Sequence, residues 1–276
     1  MTTKTEKEQA FLYDLYITPD WSERFAGLID EHITLPKRGR VLYVASGTGD
    51  HTLALASRAG SEVEVTGIDE KAERTALARA KQTVATTDAG TEFRTAQLEA
   101  LPFEDEAFDL VIGNLSLIPV YRAPERIAEM SRVTRQGGEV AFATVTASSF
   151  GEFFSLYWEA LATTGEGEHA ALVERLISEL PTISDAESLA TREGLDEVQS
   201  WTQPEEFQFA SGEEFTNAPL VNSFLLPEWF ASIPDAHTQD EVRASLRRLI
   251  DEEEHDAETP WTFSIKATFV LGRRGD

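Results

Sequence analysis

The sequence predicts an α/β fold, doubly wound around a mostly parallel sheet. Three observations carry this. Short apolar runs alternate with helical patterns from Arg40 to Val145. One run, Phe108–Leu115, is apolar at nearly every position, as suits a strand buried on both faces of a parallel sheet. A glycine-rich turn, Ala45-Ser46-Gly47-Thr48-Gly49, joins the first strand to the helix that follows it. Such alternation implies right-handed crossovers.

The elements follow in order. Phe11, Leu12, Leu15, Tyr16, Trp21, Phe25, Leu28 and Ile29 recur at helical spacing, so two short helices are expected over 7–31, interrupted at Thr18-Pro19. Tyr13 and Tyr16 either face a ligand there or belong to the core. Val41–Val44 is β-prone, and Leu53, Leu55 and Ala56 return to helical spacing. Glu62–Ile68 is a second strand ending at Asp69, and Lys71–Thr87 is an alanine-rich helix. Thr91–Gln97 is a third strand, Leu98–Glu106 a loop and Phe108–Leu115 the fourth strand. Pro124–Thr134 is a helix closed by Gln136-Gly137-Gly138, and Glu139–Val145 is a fifth strand.

The second half is less regular. Phe150–Ala162 and His169–Leu180 are expected helices on either side of the turn at 164–167. Ser184–Glu193 is a helix with an N-cap serine and Gly194 just past its end. Leu195–Phe209 is a strand pair or one long strand. Gly212–Phe230 is a mixed apolar segment, Glu241–Asp251 an amphipathic helix, and Trp261–Gly272 an alternating final strand. The aromatics of 150–180 and 215–230 either wall a pocket for an apolar acceptor or fill a core.

Composition narrows the chemistry. With 276 residues, 41% of them hydrophobic, the chain can bury a sizeable core. It has no cysteine, which excludes disulfides, cysteine metal sites and thiol nucleophiles and fits a reducing cytoplasm. Its five histidines, at 32, 51, 169, 237 and 255, show no metal-ligand spacing. No run approaches the roughly 20 apolar residues of a membrane span, and MTTKTEKEQA lacks a signal core. A soluble cytoplasmic protein with no membrane partner is expected. The net charge is −25, from 49 acidic and 24 basic residues, only six of the latter lysine. Such a surface repels nucleic acid and anionic membranes, so neither is an expected partner. The charge is spread along the chain, with one dense run at Asp251–Glu258. It reads as a solvated acidic surface or, more sharply, as adaptation to a salt-rich cytoplasm. The oligomeric state is not legible.

The glycine turn narrows the ligand. Glycines there admit close backbone approach, and the next helix offers unpaired N–H groups. A dinucleotide fingerprint needs a glycine or alanine at position 52, where Thr52 stands. A phosphate loop needs a lysine where Asp50 stands. An acid beside the turn suits a cationic ligand better than a pyrophosphate.

Taken with VTGIDE and AQLEALPFEDEAFDLVIGNLSLIPV, the run VLYVASGTGDHTLALA resembles the class I S-adenosylmethionine-dependent methyltransferases, in the small-molecule group that includes quinone-biosynthesis C-methyltransferases. The resemblance covers roughly 8–272 and is strongest over 40–145. It implies a Rossmann-like, seven-stranded sheet whose last strand is antiparallel, with helical insertions covering the substrate. It implies one domain over 1–276: N-terminal helices at 7–31, a cofactor-binding core at 40–146, a helical cap at 148–181, and completion of the sheet over 184–272. It implies S-adenosylmethionine as cofactor and a small-molecule methyl acceptor. Ala45, Ser46, Gly47, Thr48 and Gly49 would hold the methionine end and Asp69 the ribose hydroxyls. Glu70 is either beside adenine or a solvated carboxylate. Gln97 and Leu98 would meet the adenine edge, and Asn114 and Leu115 the sulfonium and acceptor.

The chain departs from the pattern at three positions. The family's first-motif acid falls on Tyr43, its first glycine on Ala45, and its adenine-side aspartate on Gln97, whose amide still hydrogen-bonds. No catalytic residue is assigned. Tyr13, Tyr16, His51 and Tyr121 are candidate bases, although a solvent-facing helix histidine is the commoner case for His51. A non-catalytic adenosyl-binding protein and a nicotinamide oxidoreductase stay open beside the methyltransferase.

Overall fold

The structure is a computed structural model that describes residues 5–165, 170–233, 235–253 and 260–275. The described chain falls into two compact units. The first comprises residues 1–144, 183–202 and 267–276, and the second 145–182 and 203–266. Glu166, Gly167 and His169 of the expected turn and helix, and 254–258 of the acidic run, lie outside the described residues.

The first unit begins with α1 (Glu6–Leu12), which Thr5 opens with a capping box completed by Glu8. The helix does not break at Thr18-Pro19, as the sequence suggested. It passes through a wider, π-type segment, Tyr13–Ser22, straight into α2 (Glu23–His32). The widened turns relieve the clash a proline ring makes with the preceding turn of an α-helix. Ile17, Trp21, Phe25, Leu28 and Ile29 are buried along this rod.

Next come β1 (Gly39–Val44), α3 (Asp50–Arg58), β2 (Val63–Asp69), α4 (Ala72–Gln82), β3 (Gly90–Thr95) and β4 (Phe108–Asn114). They lead to α5 (Ala123–Val133) and β5 (Thr134–Val145). The Gln136–Gly138 stretch, read from sequence as a helix stop, lies inside β5, and the ladder with β4 shifts register between Phe108 and Leu110. The later elements are α6 (Gly151–Thr163), α7 (Ala170–Glu179), α8 (Ile183–Arg192) and β6 (Leu195–Phe209). The chain closes with α9 (Gly212–Asn217), α10 (Leu226–Trp229), α11 (Ala236–Glu252) and β7 (Trp261–Arg274). Helix α8 starts one residue before the expected cap Ser184, while Gly194 stands just beyond its end with φ +88°. β6 is one long strand rather than a pair.

The sheet order is β3-β2-β1-β4-β5-β7-β6, with β1 through β5 parallel and the last strand antiparallel. Order reverses between β1 and β4, so their C-terminal ends flank the crevice where ligands bind in such sheets. β1 and β4 read as apolar runs because both faces are covered: Val41, Leu42, Val44, Val111 and Ile112 are fully buried.

Most of the aromatics left between pocket and core prove to be core, while Trp158 is exposed. In the second unit Phe153 stacks on Tyr157 and Trp229, Phe215 packs edge-on to Trp261, and Phe150 and Phe263 join them. All are buried, and the Tyr157 hydroxyl donates to the Trp229 carbonyl at 3.0 Å.

One ion cluster ties α5 of the first unit to the loops beside it. Arg126, 1% exposed, donates to Glu99 at 2.9 Å and Glu70 at 3.0 Å, and Arg122 meets the same two carboxylates. Breaking a buried pair from one side leaves uncompensated charge. Arg126→Ala is expected to destabilise the chain by about 3 kcal/mol, the low end of such effects because both carboxylates still reach water. A urea midpoint matching the wild type would contradict this.

Candidate functional site

The site forms where β1 turns into α3. Ala45 adopts φ +58°, Gly47 +57° and Gly49 +88°. The two glycines are needed for different reasons. Gly49 caps α3, and a Cβ there would lie 2.8 Å from both the Ala78 Cβ and the Phe93 ring. Gly47 leaves room for a ring: a Cβ on it would lie 2.7 Å from Tyr13.

Asp69 closes the turn from the end of β2. Its Oδ2 accepts the Gly47 N–H at 3.0 Å and its Oδ1 the Lys71 N–H at 2.9 Å. Only 4% of the residue is exposed. Burial pushes its carboxyl above the usual aspartate range, against the opposing pull of the Arg74 charge and the two backbone donors.

A cavity of about 360 Å³ opens beside the turn. Ala45, Ser46, Thr48 and Asn114 line it. The other expected residues lie elsewhere. Gly47 and Gly49 shape the turn without lining the cavity, and Asp69 stands behind it. Glu70 belongs to the arginine cluster rather than to open solvent. Gln97 is exposed, and the Leu98 and Leu115 side chains belong to the core under the sheet. Asn114 is held by Ser116, whose hydroxyl donates to it at 2.6 Å.

The candidate bases separate clearly. Tyr16 and Tyr121 are exposed and do not line the cavity. Tyr13 does, and it is buried. Its hydroxyl lies 3.3 Å from the Ser22 hydroxyl, and the Arg74 guanidinium stacks 4.0 Å over its ring. Burial raises its phenol, with Arg74 opposing. His51 is not solvent-facing. It lies between the Tyr43 hydroxyl, 2.9 Å from its Nδ1, and the Asp30 carboxylate, 2.9 Å from its Nε2.

Sequence reasoning missed this last constellation. Asp30 sits on α2, twenty-one residues before His51, and nothing in the spacing links the two. The signal available was Tyr43, a polar ring inside an apolar strand. The π-type segment is latched to the turn by polar contacts that were also not foreseen. Thr18 meets Thr48 at 3.2 Å, and the Trp21 indole donates to Ser116 at 2.9 Å. Lys81 bridges Asp14 and Asp50.

Residues 41–138 match the family described as "Methyltransferase domain". Over that stretch the chain is similar to methyltransferase domains. Over 119 residues it is 34% identical to the ubiquinone/menaquinone biosynthesis C-methyltransferase UbiE of Geotalea daltonii, covering 43% of this chain and 51% of that protein. The chain thus spans about half the length of the curated relatives it matches. Among solved structures, the YcgJ protein of Bacillus subtilis aligns with a TM-score of 0.58 at 15% identity, over 92% of this chain and 99% of YcgJ. The Haemonchus contortus phosphoethanolamine N-methyltransferase 2 aligns with a TM-score of 0.55 at 14% identity, over 99% of this chain and 61% of its own. These likenesses are of fold. Among the described residues no cluster of metal-ligating side chains occurs, and no helix is long and apolar enough to cross a membrane.

The turn geometry has a direct consequence. Gly49→Ala places a methyl in the left-handed region and against the Ala78 Cβ at once. A loss of about 2–3 kcal/mol in urea unfolding is expected. A wild-type midpoint would show that the α3 N-terminus can move aside.

Proposed function

We propose that this chain transfers the methyl group of S-adenosylmethionine to a small-molecule acceptor. The observation that carries the reading is the glycine turn hydrogen-bonded to Asp69, beside a cavity whose charged walls are acids. Glu23, Asp30 and Asp50 line that cavity, and no lysine or arginine does. Such walls favour a cation over a pyrophosphate, which counts against a nicotinamide dinucleotide. The names of the curated relatives, C-methyltransferases of quinone biosynthesis, support the same reading.

The residues fit the cofactor. A carboxylate at the end of β2 can accept from two ribose hydroxyls, and the cavity beside the turn suits a positively charged amino-acid tail. Bound S-adenosylmethionine would supply a methyl group already activated on sulfur. What this chain has to add is positioning and exclusion of water. Asp69 would orient the adenosyl end, and Ala45, Ser46 and Thr48 would bound the tail. Asn114, fixed by Ser116, would define the side at which an acceptor enters. Tyr13 stands against Gly47 and has to turn aside for a ligand to approach that backbone closely. We also propose that the protein works in a salt-rich cytoplasm. Support comes from the net charge of −25, the absence of cysteine and the scarcity of lysine.

Titration calorimetry with S-adenosylhomocysteine and with NADH tests the reading. Binding of the first and not the second is expected, with at least a tenfold loss in Asp69→Ala. NADH binding alone would overturn it. Binding without turnover across a panel of acceptors would leave a non-catalytic adenosyl-binding protein. The pH dependence follows from Asp69. Ribose hydroxyls need its ionised form, and its pKa is raised. Affinity is therefore lost on acidification at a pH above the ordinary value of about 3.9.

Salt adaptation is read in the melting temperature against KCl, which should climb as screening relieves self-repulsion. A chain most stable near zero salt would contradict it.

A further inference from the structure

A phenol that is 3% exposed inside a sheet needs a partner for its hydroxyl. Tyr43 has one in His51 Nδ1, 2.9 Å away on α3. The imidazole continues to Asp30 Oδ1, 2.9 Å from Nε2, and Arg58 Nη2 reaches the same oxygen at 2.5 Å. Desolvation raises the Asp30 carboxyl, but the hydrogen bonds from His51 and Arg58 outweigh it and hold the group below the usual range. Asp30 is therefore ionised and can only accept. In the neutral ring, Nε2 then carries the proton and Nδ1 accepts from the Tyr43 hydroxyl. Burial raises the Tyr43 phenol strongly, so it keeps its proton. Its oxygen donates to His51 and retains lone pairs for a further donor.

All three side chains line the cavity, together with Glu23 and Asp50. The two cations closest to these acids, Arg58 and Lys81, reach them without lining the cavity. The group that fits such walls is positively charged and carries N–H donors. A sulfonium has the charge and no donor. A primary amino group has both.

We infer that Asp30, His51 and Tyr43 form a chain of hydrogen bonds that seats the amino group of the ligand's amino-acid tail, with the Tyr43 oxygen as the accepting atom. The inference rests on the adenosyl reading above. It assigns to α2 the anion that the resemblance expects on β1. Tyr43 carries the contact, and Asp30, acting through His51, fixes the direction in which the phenol can accept. Asp30 and His51 are positioning residues here, and Tyr43 is a binding residue.

The test compares two ligands on the full chain by calorimetry: S-adenosylhomocysteine and its analogue lacking the amino group. Tyr43→Phe is expected to weaken S-adenosylhomocysteine about tenfold and to leave the deaminated analogue within twofold of the wild type. Asp30→Asn should show the same pattern with a smaller loss, and circular dichroism confirms that both variants fold. Asp30 is only partly buried, so its variant serves if Tyr43→Phe fails to fold. Equal losses for the two ligands, or no loss for either, would overturn the inference while the adenosyl reading stands. A wild-type chain that binds neither ligand would overturn both.

Discussion

The fold's functional geometry depends on one buried hydrogen bond, from the Gly47 N–H to Asp69 Oδ2. It couples the ends of two neighbouring parallel strands, β1 and β2, at the level where the sheet gives way to loops. The glycine turn is left-handed at Ala45, Gly47 and Gly49, so no repeating backbone ladder holds it. Side chains do that work instead. Asp69 takes two backbone donors, Thr48 meets Thr18, and Asp50 meets Lys81. A carboxylate kept almost dry in this way is costly to ionise. The raised Asp69 pKa is the trace of that cost.

The same economy of charge appears across the first unit. The protein carries a large acidic excess, and several arginines of the first unit are committed to carboxylates. Arg122 and Arg126 hold Glu70 and Glu99, while Arg58 holds Asp30. Of the three acids that line the cavity, Asp30 and Asp50 are paired with Arg58 and Lys81, cations that do not line it themselves.

Much of the first unit was legible in the sequence because its signals are local. Continuous apolar runs gave β1 and β4, glycines gave the turn, and the acid at a strand end gave Asp69. Boundaries failed where a longer-range effect won. Pro19 breaks an α-helix, but a wider helical segment absorbs it. Gln136-Gly137-Gly138 looked like a stop, but β5 runs through it where the ladder with β4 shifts register. In the site, Ala45, Ser46, Thr48 and Asn114 line the cavity, whereas Glu70, Leu98 and Leu115 are engaged in ion pairs or core packing. The Asp30–His51–Tyr43 chain joins three elements, and no periodicity encodes such a meeting. Only the odd residue, a tyrosine in an apolar strand, betrayed it.

The uninterrupted rod from α1 to α2 carries two site residues, Tyr13 against the glycine turn and Asp30 beside His51. Each residue added to or removed from a helix rotates everything beyond it by about 100°. A single insertion between Tyr13 and Asp30 would keep one in register and swing the other away from its partner. Surface loops tolerate changes of length; this helix does not. Its residue count therefore decides whether both contacts can form at once.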